Sequence, residues 1–218
     1  MVRGVNPRTA EQRDRRVAGT EQKLITAATR LFVRDGYAAT TLAAVAAEAG
    51  VAPRTVYVRF GTKAALLRRS VDVALVGDTL PVDVDSRDWA RRAMTAPTLE
   101  ERITVAARGI AEMMARAAPL LAVAAEAAPS EPEIAAAYQA GREATRDAQR
   151  RFWVAAASDG LLPPGADLDW LADTTALLVA AETYLLGSRV LHWSPGQHEQ
   201  WLAATMRRLA AAAPPPGG

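Results

Sequence analysis

Residues 41–60 read TLAAVAAEAGVAPRTVYVRF. Two short helical stretches meet at Gly50. Glycine suits a sharp turn between helices because it enters positive φ at no steric cost. Ala46 and Ala47 let the stretches approach closely, and Val45, Val51 and Val56 supply a small core behind them. Pro53 falls in the first turn of the second stretch, where its missing N–H is not needed. The helical period then places Arg54, Thr55, Val58 and Arg59 on the outer arc. An α-helix fits the major groove of B-DNA, and side chains near its N-terminus reach base edges. Arg54 can donate twice to a guanine, and Thr55 can donate, accept or touch a thymine methyl. Thr41, the free amides at the helix N-termini, the Tyr57 hydroxyl and Lys63 suit phosphate oxygens.

The helical period continues outward on both sides. Leu24, Ala27, Ala28, Leu31 and Phe32 share one face, with Thr20 as a starting cap and Gly36 as a stop. Gly61-Thr62 breaks and recaps the chain. A helix from Lys63 then carries Leu66, Leu67, Val71, Ala74 and Leu75 toward Pro81. Beyond the polar Pro81–Ser86 connection, helices are expected over 87–95, 98–117, 131–159, 168–191 and 195–212. A separate short helix to about residue 127 is expected after Pro119, which cannot donate a helical bond. Thr98–Glu101, Ser130–Glu133 and Ser194–Gln197 read as capping boxes. No stretch reads as a strand, so the fold class is all-α.

Composition agrees. Half of the 218 residues are apolar, only 6% are aromatic, and much of the remainder is alanine, the best helix former. There is no cysteine, which excludes disulfides and thiolate chemistry, and the two histidines leave little room for a multi-histidine metal centre. Asp167 and Asp169 read as the acidic start of a helix, His192 and His198 as surface or capping residues, and 160–165 as a loop whose prolines lack phosphate-cradling amides. The expectation is therefore no catalysis, no metal and no cofactor. No run approaches the ~20 apolar residues of a membrane span and no targeting segment is visible, so a cytoplasmic protein is expected.

The net charge of +2 conceals a division. Residues 1–69 hold 13 Lys+Arg against 5 Asp+Glu, a local +8, and the rest carries −6. A basic third suits a polyanion, because phosphate attraction depends on local charge.

Residues 20–69 resemble the DNA-binding domain of the TetR family of bacterial transcription regulators. The resemblance rests on Ile25-x-Ala27-Ala28, Leu31-Phe32, Asp35-Gly36-Tyr37, Thr40-Thr41, Ala46–Val51, Thr55-Val56-Tyr57, Phe60, and Lys63 through Leu66-Leu67, ungapped over about 50 residues. It implies a three-helix unit whose third helix reads DNA. Thr41, Tyr57 and Lys63 would meet phosphate, and Arg54 and Thr55 would meet bases. Arg59 departs from the family's frequent histidine and would add a phosphate contact. Ala65 departs from an acidic residue, so the fourth helix lacks a capping box. The family implies a homodimer on a pseudo-palindromic operator, here through the helices at about 131–159 and 168–191. Ala176, Leu177, Ala180, Ala181, Tyr184 and Leu185 are candidate interface residues.

The resulting layout is a disordered basic arm (1–19), a DNA-binding domain (20–66), a helical effector-binding and dimerisation domain (67–212) and a disordered tail (213–218). Trp89, Met113, Met114, Tyr138 and Arg142 are candidates to line an effector pocket, methionine being adaptable to irregular apolar ligands. The expected function is a repressor that releases its operator when a small molecule binds. The alternative is a helical small-molecule binder that activates transcription or no longer binds DNA.

Overall fold

The computed structural model describes residues 7–79 and 84–212, with side chains from Ala18 onward. These residues form α1 (Pro7–Ala39), α2 (Leu42–Glu48), α3 (Pro53–Phe60), α4 (Lys63–Val76) and α5 (Asp88–Thr95), followed by α6 (Leu99–Ala127), α7 (Pro132–Ser158), α8 (Leu168–Leu178), α9 (Ala181–Arg189) and α10 (Pro195–Ala211). No strand occurs among them.

The turn chemistry of the first third acts as expected. Gly36 leaves helical geometry at φ 79°, and Gly50, Gly61 and Gly77 all take positive φ. Thr41 caps α2 by accepting the Ala44 N–H, and Thr62 caps α4 by accepting the Ala65 N–H. The start of α1 differs from expectation. Thr20 lies within the helix, and residues 7–19 continue it with Pro7 at the first position. Alanine, arginine, glutamine and glutamate there are good helix formers, and extending a nucleated helix costs little. Residues 1–6 of the expected arm and the 213–218 tail lie outside the described residues.

Three boundaries are corrected. α6 is one helix through Pro119, not two. Proline withdraws a single helical bond, while Ala117, Ala118 and Leu120 beside it are fully buried and hold both halves in line. The segment 168–191 is conversely two helices, broken at Val179-Ala180 without glycine or proline. Ala180 is extended, and Thr183 Oγ1 donates to the freed Leu177 carbonyl at 2.7 Å. Ser130 does not cap α7. Its hydroxyl donates to the Ala127 carbonyl, and Glu131 takes the N-cap position. Thr98 caps α6 by accepting the Glu101 N–H, and Ser194–Gln197 forms a complete reciprocal box on α10.

Two apolar cores result. The lower one holds Phe32, Val45, Val56, Leu66 and Leu67 together with Leu120, Val123 and Ile134. The upper one is built on Ile103, Ile110, Trp153, Leu171, Leu202 and Met206. α6 enters both, and Pro119 lies where one gives way to the other. The packing therefore does not divide at residue 66, since the lower core borrows the end of α6 and the start of α7.

Candidate nucleic-acid interface

α2 and α3 form the helix-turn-helix, packed through Val45, Ala46 and Val56. Arg54 occupies the second position of α3 and is exposed. Among the described residues it makes no hydrogen bond or ion pair, so its donors face solvent. Thr55 is half-buried, Tyr57 is exposed, and Val58 is 76% exposed. Thr41 is exposed beside the N-terminus of α2, its hydroxyl oxygen engaged in the cap. One face thus offers a fork donor, a phenol and an apolar patch about one turn apart.

Two expected phosphate contacts are engaged internally. Lys63 Nζ donates to the Tyr37 and Ala38 carbonyls at 2.8 and 3.4 Å, and sits 4.1 Å from the centre of the Tyr37 ring. It closes the end of α1, where a cation also meets the helix dipole. Arg59 binds the carboxylate of Glu21. Sequence reasoning missed Glu21, because a glutamate beside a basic arm reads as a solvated charge.

Tyr37 links this unit to the body. Its hydroxyl donates to Glu131 Oε1 at 3.0 Å, at the start of α7. Burial, reinforced by the neighbouring carboxylate, pushes its pKa far up, so it remains a donor. On the body side, Arg116 of α6 donates through Nε to the Ala74 carbonyl near the end of α4, at 3.2 Å.

The five candidate pocket residues do not converge on one cavity. Trp89 lies flat on Gly109 of α6, Met114 is buried and Met113 half-buried in the upper core. Tyr138 and Arg142 instead clasp Glu182 of α9 at 2.9 and 2.7 Å, and Tyr138 packs on the lower core. A surface groove of about 400 Å³ at the α5–α6 corner is lined by Arg92, Thr95, Ala96, Pro97 and Val105, and by none of the five.

His198 also departs from expectation. It is 2% exposed, not a surface or capping residue, and is boxed by the rings of Tyr184, Trp193 and Trp201. The WSPGQ turn that caps α10 carries it inward.

Comparison with known proteins agrees with this geometry. Residues 24–69 match the family model of bacterial regulatory proteins, tetR family. No curated protein matches the chain. Among solved structures, a protein assigned to the TetR-family transcriptional regulators from Mesorhizobium loti MAFF303099 superposes with a TM-score of 0.70 at 22% identity, covering 90% of this chain and 98% of that one. A TetR transcription regulator from Haloarcula marismortui gives 0.66 at 14% identity over 89% and 98%. The fatty acid degradation regulator FadR from Bacillus halodurans gives 0.67 at 13% identity over 85% and 93%. At these identities the superpositions establish the fold. The family match falls on the helix-turn-helix and its two flanking helices, so residues 24–69 are a DNA-binding domain of the tetR-family type.

Proposed function

We propose that the chain is a cytoplasmic, ligand-responsive repressor, acting as a homodimer on a pseudo-palindromic operator. The observation that carries this reading is the continuity of α6. Its first half is packed in the upper core and its second half in the core of the DNA-reading unit. A ligand that rearranges the upper core would therefore displace the lower one, and with it the spacing of two recognition helices, which half-site separation makes a strict geometric requirement. The effector must bind the two arrangements with different affinity, or nothing moves.

Arg54 and Thr55 would read bases, with Thr41 and Tyr57 on phosphates. The third proton of Lys63 is also free for a phosphate. Trp89, Met113 and Met114 mark the upper-core region where an apolar effector would insert. Leu177, Leu186, Val190 and Leu191 are exposed on and just after α8 and α9, an apolar face that a second copy would cover.

The test is equilibrium DNA binding by fluorescence anisotropy on the chain's own upstream DNA, with scrambled DNA alongside. Specific binding should fall steeply with salt. Arg54→Ala should cost ~1–3 kcal/mol and relax preference at one base pair. Compounds that bind the protein should include some that lower operator affinity. If every binding compound left that affinity unchanged, the ligand-responsive part of the reading would be lost while the DNA-reading part stood.

A further inference from the structure

Glu21 of α1 is only 8% exposed, yet it carries a carboxylate into the DNA-reading unit. Its Oε1 accepts from Arg69 Nε of α4 at 2.9 Å. Its Oε2 accepts from Arg59 Nη2, in the last turn of α3. Arg69 extends the link by donating through Nη2 to the Thr79 carbonyl, just past the end of α4, at 3.1 Å. One buried carboxylate thus joins three helices through two guanidiniums.

The need for such a joint follows from how lightly α3 is otherwise attached. It has eight residues and buries one side chain fully, Val56. Gly61 at its C-cap and Gly50, two residues before its N-cap Ala52, both sit at positive φ. A short rod with one fully buried side chain, partly buried Phe60 at its end and glycines near both ends can rock about Val56. Arg59 lies five residues beyond Arg54, roughly 7.5 Å along the axis at ~1.5 Å per residue. Rocking at the Arg59 end would therefore swing Arg54 relative to the base edge it must fork. Bidentate recognition of a base tolerates little such movement.

We propose that Glu21 is a positioning residue for operator discrimination, and that Arg59 acts as its latch on the recognition helix, not as a phosphate contact. This rests on α3 being the helix that reads DNA. The latch holds the aim of Arg54 and Thr55 and leaves the general attraction for phosphate to other groups.

The experiment uses the full chain, an operator enriched from a random DNA pool by the wild-type protein, and a scrambled duplex of equal length. Affinities are measured over a range of salt for Glu21→Gln, Arg59→Gln, Arg59→Lys and the double variant Glu21→Gln/Arg59→Gln. With a latch, Arg59→Gln lowers operator affinity by about tenfold, the worth of a charged hydrogen bond. It leaves scrambled DNA nearly untouched and the salt slope unchanged. Glu21→Gln does the same to the operator, and binds scrambled DNA as well or better because a negative charge is gone. The double variant is no worse than the poorer single one, and Arg59→Lys recovers part of the loss. Arg59 is half-exposed, so Arg59→Gln carries the test even if Glu21→Gln folds poorly.

The proposal is overturned if Arg59→Gln weakens both duplexes equally and flattens the salt slope by about one, the signature of a lost phosphate contact. It is also overturned if Glu21→Gln leaves the operator-to-scrambled ratio intact. If the wild-type chain enriches no sequence, the DNA-reading assignment falls and takes the latch with it. Failure of the latch alone leaves enrichment in place.

Discussion

The lower and upper cores are built by different means. The lower core is assembled around glycine joints, with positive φ at Gly36, Gly50 and Gly61. Its geometry is written locally, in the turns. The upper core takes its shape from distant side chains meeting. Trp89 lies on Gly109, Trp193 crosses Gly187, and the Trp153 indole donates to Thr175 at 3.0 Å. A locally specified reader sits against a body whose arrangement depends on non-local packing. Under the proposed function, that division separates the part that would keep one geometry from the part that would respond. α6 and α7 each belong to both.

The strongest way to break this comparison is to ask whether the cores melt together. Phe32→Ala in the lower core and Trp153→Ala in the upper should each cost ~3–5 kcal/mol, since both side chains are fully buried. All five tryptophans lie at residue 89 or beyond, on the upper side of the chain. Their fluorescence therefore reports the upper core, whereas far-ultraviolet circular dichroism reports every helix. If α6 couples the cores, Phe32→Ala lowers the fluorescence midpoint as much as the dichroism midpoint. A fluorescence transition that stays put while the dichroism splits would make the two cores independent and remove the basis for signalling through α6.

The second test concerns non-local packing. A Cβ at Gly109 would fall 2.2 Å from the Trp89 ring, so Gly109→Ala must push the indole out. The expected cost is ~1–3 kcal/mol, with a red shift in tryptophan emission. Gly141, in the middle of α7, has nothing within 4 Å of the same position. Gly141→Ala should instead stabilise by roughly 0.5–1 kcal/mol through helix propensity. Equal effects at the two glycines would mean that Trp89 is not seated where the structure puts it.

The same contrast explains what the sequence could disclose. The reader was legible because caps and glycines act on their immediate neighbours: Thr41, Gly50, Pro53, Thr62 and the apolar spacing on α1 all do what their chemistry suggests. The body was legible in helix count and faces, but its joints were misplaced where packing overrides propensity. Pro119 looks like a stop, yet buried neighbours keep α6 whole, and the Val179-Ala180 break carries no breaker residue at all. Partnerships were the least visible. Glu21, Glu131 and Glu182 are ordinary glutamates until the fold sets them against Arg59, Tyr37 and Tyr138. The candidate pocket scattered for the same reason, since no local pattern says which helices will adjoin.

A smaller effect should appear with pH. Both ring nitrogens of His198 lack hydrogen-bond partners among the described residues, and burial among Tyr184, Trp193 and Trp201 lowers its pKa below the ordinary 6.5. No charged group contributes to that shift. The unfolded chain accepts a proton near pH 6.5 while the folded chain resists it, so the unfolded state binds more protons below that pH. Stability should be level above about pH 7 and fall on acidification through 6.5, by at most about 1.4 kcal/mol per pH unit. His198→Phe should flatten the curve between pH 7 and 5. An unchanged curve in that variant would mean that the box admits water or a partner to the imidazole.

The smallest expected effect bears most directly on how the two cores are joined. Tyr37→Phe removes one hydroxyl, the donor to Glu131 at the N-cap of α7, and leaves the ring stacked on Phe32 and under Lys63. The cost should be about 1 kcal/mol, as for a single hydrogen bond. Its distribution matters more than its size. Hydrogen exchange should quicken in the first turn of α7 as well as at the end of α1, because the bond ties a loop of the body to the reader. A double cycle with Glu131→Gln should show the two changes to be non-additive. If exchange quickened only in α1, the hydroxyl would be serving its own helix, and packing along α6 and α7 would carry the connection between the cores.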